Sequence, residues 1–539
     1  MANPPVQGPG SRHTLPAPGG CDHGGMEEPG SQHSDEVAGE AEVVEHRQRP
    51  TSEAFKQFIA SGWAPRPAAL PSRAASAPYA AARRAQISST FPGQRLVIPA
   101  GEPRVRSNDT DYRFRPHSAF AYLTGLGTDR EPHAVLVLEP RPAGPGGEPD
   151  GHDAVLYFHP RAGRDTEEFY ADSRYGELWV GVRPSLEEIA ALTGLECRSI
   201  DELDDAVTKD LSDEVSGVVV RIVRSADGRL EAHIETARSA AGLDEERAEA
   251  LDAELARELS ELRLVKDEFE IAQMRLAVEI TVRGFADIVR ALPEAVASVR
   301  GERVVETAFE NLARREGNGV GYDTIAAAGP HACTLHWIRN DGPVQEGDLV
   351  LVDAGVEVDS LYTADVTRTL PVSGSFSPAQ LEVYQVVLEA ADAAFAAARP
   401  GVRFRDVHAA AMEVIAARLH EWGLLPGTVE DSLDEDGQFH RRWMVHGTSH
   451  HLGIDVHDCA QARREMYLDA ELRPGMIFTI EPGLYFRAED ELAPADLRGI
   501  GVRIEDDVLV TQDGCENLSA MLPRQPVEIE AWMAALRGR

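Results

Sequence analysis

The stretch VDAGVEVDSLYTADVTRT (352–369) decides the fold, because it puts Asp353 and Asp365 on two β-rich runs joined by a short turn. Successive side chains of a strand point to opposite faces. A two-residue turn at 359–360 would therefore leave the aspartates on opposite faces, and a shared metal needs both on one face. An odd loop centred on Asp359, or a one-residue bulge, would set Asp353 directly opposite Asp365. We predict such a bulge here. The alternative is that the two aspartates cap unrelated turns.

Three further stretches supply the residue types that complete a two-metal site. They are HGTSHHLGIDVH (446–457) with His450, TIEPGLYF (479–486) with Glu481, and GVRIEDDVLVT (501–511) with Glu505. Four carboxylates with one imidazole form an oxygen-rich ligand set that suits Mn²⁺ or a related borderline ion. Their four negative charges balance two divalent cations, which can share a bridging water and polarise a carbonyl. The pattern predicts a metal-dependent hydrolase.

The stretch GVRIEDDVLVT is predicted as a single strand with Arg503, Glu505 and Asp507 on one face. An acidic side chain in so apolar a strand is costly unless it meets cations. We therefore expect a metal ion next to Glu505 and Arg503 beside it as an orienting cation. The alternative is a surface strand with one polar face.

The histidines form the densest cluster of possible ligands. Four of them lie within twelve residues, at 446, 450, 451 and 457, and His336 lies in the stretch TLHWIRN. The segment HGTSH has the histidine spacing of a zincin helix but lacks its glutamate, and Gly447 and Gly453 disfavour a helix. A zincin site is therefore not expected. Any single histidine is more often structural than a ligand, but the cluster indicates function.

Composition excludes several classes of protein. A chain of 539 residues with a formal net charge of −37 is expected to hold two folded domains and to bind no nucleic acid, which attracts Lys and Arg clusters. Five dispersed cysteines predict neither a disulfide framework nor a zinc knuckle. We see no secretory signal and no apolar run long enough for a membrane helix. We expect a soluble cytoplasmic protein with no membrane partner.

The chain divides into three predicted regions. Residues 1–50 are expected to be a disordered tail, whose histidines could bind a stray metal ion but are better explained as solvated. Residues 51–262 are expected to form a smaller α/β domain that ends in a linker helix, and residues 263–539 an α+β domain. Within 241–292 at least two helices are predicted, with their junction at LRLVKDE. The loop 142–153 is predicted to lie on the surface.

In the smaller domain, short apolar runs alternate with one helical stretch. The predicted strands are RLVIPAG, AVLVLEP, AVLYFHP and SGVVVRIV, and the predicted helix is SLEEIAALTGL.

With these motifs in hand, the chain resembles aminopeptidase P (Xaa-Pro aminopeptidase), in the pita-bread metallopeptidase family that includes prolidase and methionine aminopeptidase. The resemblance is specific over about 262–525 and looser in RFRPHSAFAYLTGL (113–126). It implies a carboxy-terminal pita-bread domain preceded by a smaller α/β domain. It also implies a dimer or tetramer formed through the amino-terminal domains.

The resemblance assigns a role to each candidate residue. The five implied metal ligands are Asp353, Asp365, His450, Glu481 and Glu505. Asp365 and Glu505 would bridge both ions, and Glu481 would also orient or deprotonate the attacking water. The histidines implied to position substrate and carry protons are His336, His446 and His457, and Arg503 matches an arginine near the second bridging carboxylate.

The implied reaction is removal of the amino-terminal residue from peptides whose second residue is proline. Proline lacks an amide hydrogen and its ring fixes φ, so a specialised site makes physical sense. Trp337 and Tyr485 are candidates to hold the proline ring. Prolidase, with the same metal set but a dipeptide substrate, is the nearest alternative. Methionine aminopeptidase fits less well, because it usually lacks so large an amino-terminal domain, and a metal-free relative would have lost ligands.

Two features depart from the family pattern. The spacing of the two aspartates is one residue longer than the resemblance implies, which leaves the hairpin loop open. The arginine expected fourteen positions before Glu481 is replaced by Tyr467, with Arg463 and Arg464 nearby. Recognition of the carboxy-terminal side of the substrate is therefore expected to differ.

Overall fold

The computed structural model describes residues 50–128, 131–142, 151–211 and 217–538. The predicted disordered tail lies outside these residues except for its last position, and so does most of the surface loop predicted at 142–153. The chain separates into two units, Met1–Lys56 and Gln57–Arg539. The helix α1 (Glu53–Ile59) spans the boundary, and all the following elements belong to the second unit.

The amino-terminal part, residues 57–262, is built on a mixed five-stranded sheet in the order β6-β5-β4-β1-β7. Strands β1, β4 and β5 are antiparallel neighbours, whereas β7 and β6 join the two edges in parallel. The four predicted strands and the predicted helix (α6) are all confirmed. The elements are α2 (Ala77–Thr90), β1 (Arg95–Pro99), β2 (Val105–Ser107), β3 (Thr110–Asp111), α3 (Ser118–Thr124), β4 (Val135–Pro140), β5 (His152–Phe158), α4 (Glu168–Ala171), α5 (Glu177–Val180), α6 (Leu186–Thr193), β6 (Glu196–Ser199), α7 (Leu203–Thr208), β7 (Val220–Ile222), α8 (Gly228–Ala240) and α9 (Glu245–Leu262), with a 3₁₀ turn at Ile200–Glu202.

Both faces of the central strands β1 and β4 are buried, which explains the continuous apolar runs LVI and VLVL, whereas the edge strand β6 is polar and partly exposed. Leu96 and Ile98 point into the large core that the amino-terminal part shares with the rest of the unit. Val97 points to the other face, into a smaller core closed by Leu230 and Ile234 of α8.

The carboxy-terminal part, residues 263–538, is α+β, as predicted. Each of its halves has a pair of packed helices, α10 with α11 and α12 with α13, followed by antiparallel strands in the orders β12-β10-β9 and β13-β16-β17. The elements are α10 (Glu268–Ala297), α11 (Gly301–Glu316), β8 (Gly319–Val320), β9 (Ile325–Ala328), β10 (Leu349–Ala354), β11 (Val356–Glu357), β12 (Val366–Pro371), α12 (Pro378–Ala397), α13 (Phe404–Glu421), α14 (Val429–Leu433), α15 (Arg464–Tyr467), β13 (Ile477–Ile480), β14 (Gly483–Phe486), β15 (Ile500–Arg503), β16 (Asp506–Val510), β17 (Cys515–Asn517) and α16 (Pro526–Leu536), with 3₁₀ turns at Gly329–Cys333 and Phe439–Arg442. In the part of the chain described, no helix has the length and apolarity needed to span a bilayer.

The junction predicted at LRLVKDE is confirmed, because α9 ends at Leu262 and α10 begins at Glu268. Asp267 and Glu270 form a capping box at the start of α10. Arg83 of α2 lies 2.8 Å from the Asp267 carboxylate and 3.5 Å from that of Glu270. Tyr362 donates to the buried Glu270 from the other side, at 3.0 Å. The amino-terminal part therefore completes the first turn of α10.

The aspartate hairpin has a different register from the one we predicted. Asp353 is paired with Thr367, not with Asp365, and the described pairing between β10 and β12 runs without a bulge. The same register continues to the bridge between Glu357 and Thr363, so the loop is odd but is centred on Ser360. Paired residues share a face, and Asp365 precedes Thr367 by two positions. The requirement that both aspartates share a face is therefore met, whereas the predicted bulge is wrong.

The stretch 501–511 is not the single strand we predicted. It changes partners at Ile504 and Glu505, because β15 pairs with β14 and β16 pairs with β13. At this switch the Glu505 amide donates to Thr367 O of β12 at 3.1 Å. Glu481 occupies the equivalent position between β13 and β14. Both glutamates are thus carried at bends of the strands and not within their regular parts.

Candidate active site

A cavity of about 310 Å³ lies over these strand ends. The nine residues predicted to hold metal or to act on the substrate all line it, and they come from five separate stretches of the chain. The lining consists of Leu335, His336, Asp353, Asp365, His446, Gly447, Ser449, His450, His457, Glu481, Arg503 and Glu505.

Three of the predicted ligands are close enough to hold one ion. Ligand atoms of Asp365, His450 and Glu505 all lie within 4.8 Å of one another. His450 Nε2 lies 3.3 Å from Asp365 Oδ2 and 3.6 Å from Glu481 Oε1. The imidazole therefore faces two of the carboxylates, as a single nitrogen ligand in an oxygen-rich site would.

Asp365, Glu481 and Glu505 are crowded and deprived of water, which raises their pKa values. Burial raises the pKa of Glu481 to about 7, although His450 and Arg503 oppose the rise. Burial and the neighbouring Asp353 charge raise the pKa of Asp365, and burial with the Asp365 charge raises that of Glu505. Burial alone would lower the pKa of His450, but its bond to Asp365 and the Glu481 charge raise it to about 9. So much unbalanced negative charge fits a pair of divalent cations.

Several hydrogen bonds that hold the carboxylates were not anticipated from the sequence. The Tyr322 hydroxyl lies 2.7 Å from Asp353 Oδ1 and 2.5 Å from Asp365 Oδ1. Thr367 Oγ1 donates to Glu505 Oε2 at 2.6 Å. No local motif surrounds Tyr322 in the sequence, so only the fold brings its hydroxyl to the aspartates.

The strand that carries Glu505 also supplies two further groups on the predicted face. Asp507 Oδ2 accepts from the Asp365 amide at 3.2 Å. Arg503 does lie in the site, but it pairs with Asp353 at 2.5 Å and not with Glu505, beside which we expected it. Its other nitrogens donate to Thr367 Oγ1 and to the Tyr485 hydroxyl, each at 3.1 Å. Arg503 therefore fixes the Asp353 carboxylate.

The three non-ligand histidines border the same cavity. The ring of His457 lies edge-on to that of His450, with centroids 4.5 Å apart. His446 Nε2 lies 2.8 Å from the Tyr485 hydroxyl, and burial together with the Arg503 charge lowers the pKa of His446 to about 3. His336 also lines the cavity. Residues 446–457 contain no helix, as expected from their glycines.

The segment that carries His336 is organised by a fully buried carboxylate, Glu302 of α11. Glu302 accepts four hydrogen bonds, from the amides of Ala328 and Gly342, from His331 Nδ1 and from Trp337 Nε1. The Trp337 ring stacks on His331 with centroids 3.9 Å apart and is not part of the cavity lining. Trp337 therefore does not lie where a proline ring would be held.

Two protein-family models and a close relative match this chain. The family described as "Metallopeptidase family M24" matches residues 272–512, and "Aminopeptidase P, N-terminal domain" matches residues 80–219. A Streptomyces coelicolor protein named Xaa-Pro aminopeptidase 1 is 51% identical over 487 residues, which are 90% of this chain and 93% of the relative. The chain belongs to metallopeptidase family M24.

More distant M24 relatives agree with this assignment. The Xaa-Pro aminopeptidase of Escherichia coli is 33% identical over 84% of this chain and 97% of its own length. The structure of Pseudomonas aeruginosa aminopeptidase PepP, 31% identical, covers 86% of this chain and 99% of its own, with a TM-score of 0.71. That of E. coli aminopeptidase P with the inhibitor Pro-Leu is 30% identical, with coverages of 86% and 100% and a TM-score of 0.72.

Tyr467, which replaces the arginine expected in this M24 chain, forms a hydrogen bond beside the metal-ligand candidate His450. The Tyr467 hydroxyl accepts from the amide of His451 at 2.8 Å, next to His450. Arg463 pairs with Glu261, and Arg464 with Asp469. Both nearby arginines are thus engaged in ion pairs, and neither lines the cavity.

Proposed function

We propose that this M24 metallopeptidase is a dinuclear aminopeptidase that releases the amino-terminal residue from peptides with proline in second position. The observation that carries the proposal is the convergence of four carboxylates and one imidazole on a single cavity. The substrate follows from the relatives named Xaa-Pro aminopeptidase, one of which shares 51% identity over nine-tenths of the chain. The prolidase alternative is not favoured by these relatives.

The proposed ion-holding residues are Asp353, Asp365, His450, Glu481 and Glu505, with Asp365 and Glu505 shared by both sites. Two bound divalent ions would polarise the scissile carbonyl and lower the pKa of the attacking water. Glu481 would orient that water and take its proton, because its carboxylate lines the cavity beside His450, where the ions would lie.

The remaining polar residues of the cavity are proposed to act on the peptide. His446 is held neutral with both ring nitrogens engaged, Nδ1 donating to Gly447 O and Nε2 accepting from the Tyr485 hydroxyl, so it would bond the peptide by exchanging one of these partners. His457 and His336 border the same space and would position the peptide and carry protons. Arg503 orients the Asp353 carboxylate through their ion pair.

Three finer statements belong to the same proposal. Mn²⁺ is the proposed native ion, since oxygen donors outnumber nitrogen in the site. The free cysteines Cys197, Cys333, Cys459 and Cys515 support a reducing, cytoplasmic location. We keep the domain boundary at 262/263 and a dimer or tetramer formed through the amino-terminal domains.

The test is the release of the amino-terminal residue from Xaa-Pro-Xaa tripeptides and Xaa-Pro dipeptides, before and after chelation and restoration with Mn²⁺. Asp365→Ala and Glu505→Ala should each abolish turnover and leave the protein folded. Asp513→Ala, which alters an exposed acid on the loop after β16, is the matched control and should be fully active. Full activity in either site variant, or after chelation, would refute the proposal. Cleavage of dipeptides alone would support prolidase.

A further inference from the structure

A buried ion cluster lies directly behind the histidine loop, by which we mean residues 450–457. Asp458, the next residue, is 1% exposed and accepts from Lys266 Nζ at 3.0 Å. Arg263 Nε lies 3.1 Å from its other oxygen, and the amide of Cys459 donates to that oxygen at 2.9 Å. The side chain of Lys266 is fully buried and also donates to Arg263 O at 2.6 Å.

Stability alone does not account for such a cluster. Removing charges from water is costly, and apolar residues of similar volume often stabilise a protein as well as a buried ion pair does. An ion pair with hydrogen bonds also fixes the relative position and orientation of the groups that it joins. Here the joined groups are the junction between α9 and α10 and the end of the histidine loop.

The two ends of the histidine loop are held by different means. The His450 end lies on β13, where His450 O accepts from the Thr479 amide at 2.9 Å and the Leu452 amide donates to Ile477 O at 3.1 Å. The His457 end is held through Asp458, whose amide donates to His451 O at 2.9 Å and whose side chain enters the ion cluster. The metal-ligand end thus depends on backbone bonds, to β13 and to the Asp458 amide, whereas the Asp458 side chain, held by Lys266 and Arg263, fixes the residue next to His457.

Gly453, in the middle of the loop, leaves room for this arrangement. A Cβ atom at residue 453 would lie 2.3 Å from Asp458 Oδ2 and 3.0 Å from Lys266 Cε. Any larger side chain would push the ion pair away from the loop. The chain therefore has glycine at the point where the pair and the loop approach most closely.

We propose that Lys266 and Asp458 are positioning residues that set the place of His457 in the cavity without controlling the metal ligands. The inference rests on the proposed function, in which His457 acts on the peptide. It separates the two ends of one loop energetically, so that substrate turnover and metal affinity can be altered independently.

The test is a double-mutant cycle between Lys266→Met and His457→Ala on Xaa-Pro-Xaa tripeptides. Each single variant should lower kcat at least tenfold. The kcat of the double variant should be no more than about threefold below that of the less active single variant. KM should stay within threefold in Lys266→Met, and the Mn²⁺ affinity of the metal-free protein, measured by calorimetry, should also stay within threefold. Additive losses in kcat, an unchanged kcat, or a parallel fall in metal affinity would overturn the proposal.

A matched control removes a similar buried pair elsewhere. Arg238 and Asp252, each with a side chain 1% exposed, pair in the amino-terminal part. Arg238→Met should lower the melting temperature and leave kcat unchanged. If Lys266→Met does not fold, Gly453→Ala replaces it in the cycle, because it displaces Asp458 while both charges remain.

A second readout does not depend on turnover. Diethyl pyrocarbonate modifies accessible neutral imidazoles, and peptide mass spectrometry reports each histidine separately. In the Mn²⁺-loaded protein, Lys266→Met should speed modification of His457 at least threefold, and Arg238→Met should not. Equal rates at His457 overturn the inference even if the wild type cleaves Xaa-Pro peptides. A wild type that is inactive on those peptides refutes the proposed function, and the labelling then decides the inference.

Discussion

Replacing Glu302 by glutamine is expected to destabilise the protein strongly although the side chain keeps its shape. The carboxylate is completely buried and accepts four hydrogen bonds, two at each oxygen. One oxygen receives the Ala328 amide and His331, and the other receives Trp337 and the Gly342 amide. Glutamine offers one oxygen and one amide group, which is itself a donor. Two of the four donors must therefore lose their acceptor.

The expected cost follows from those two lost bonds. A buried donor left without its partner costs about 1 to 3 kcal/mol, so two of them cost about 2 to 6 kcal/mol. That is a large share of the roughly 5 to 15 kcal/mol by which a domain is usually stable. At about 2 to 4 °C per kcal/mol, the unfolding midpoint should fall by roughly 4 to 24 °C.

The assay is scanning calorimetry of Glu302→Gln and wild type at one fixed scan rate. Glu310→Gln, two turns farther along α11, is the matched control, because it makes the same chemical change in a half-buried position. Its midpoint should stay within about 2 °C of wild type. If Glu302→Gln shifts the midpoint no more than Glu310→Gln does, the four hydrogen bonds do not carry the stability assigned to them.

Three other predictions concern metal affinity, the pH dependence of stability and the effect of chelation. Tyr322→Phe should weaken Mn²⁺ binding by roughly 10- to 100-fold in calorimetry, since outer hydrogen bonds to ligands commonly contribute that much; Tyr384→Phe, which loses a bond to Arg524 O away from the cavity, should bind the ion normally. Burial, reinforced by the Arg263 charge, lowers the pKa of His117 from 6.5 to about 4, so the unfolded chain takes up a proton first as the pH falls. His117 should therefore lower the free energy of unfolding by at most about 3 kcal/mol as the pH falls from 6.5 to 4. In urea titrations at several pH values, His117→Gln should lack this contribution to the pH dependence of the free energy of unfolding. Chelation should lower the unfolding midpoint of the wild type, because the buried carboxylates lose their cations, and a smaller shift in Glu505→Ala would support this cause; equal shifts would contradict it.

The features of the fold that were predictable depend on local sequence. The strands around Val97 and Val137 and the two helices joined near Lys266 follow from hydrophobic periodicity and capping residues, which act over a few positions. The nine candidate residues of the cavity were also accessible, because each lies in a short motif with its own chemistry. They could be identified without knowing how the five stretches meet.

The features that were missed depend on contacts between distant residues. The hairpin register is set by the turn at Ser360 and by packing of β10 against β9, and alternation alone does not contain this information. The strand at 501–511 divides because its two halves pair with different neighbours. Tyr322 and Glu302 act on partners 26 to 43 positions away, and nothing near them in the sequence marks the contact.

The capping of α10 has a consequence for how the two parts of the chain can be separated. Glu270 is buried between Arg83, which the amino-terminal part supplies, and Tyr362. A fragment that begins at residue 263 would keep the buried Glu270 carboxylate but lose Arg83, the cationic partner described for it in the amino-terminal part. Chimeras between relatives should accordingly fold when Arg83 and its partners Asp267 and Glu270 come from the same parent. A carboxy-terminal fragment produced alone should need Glu270 replaced by a neutral residue.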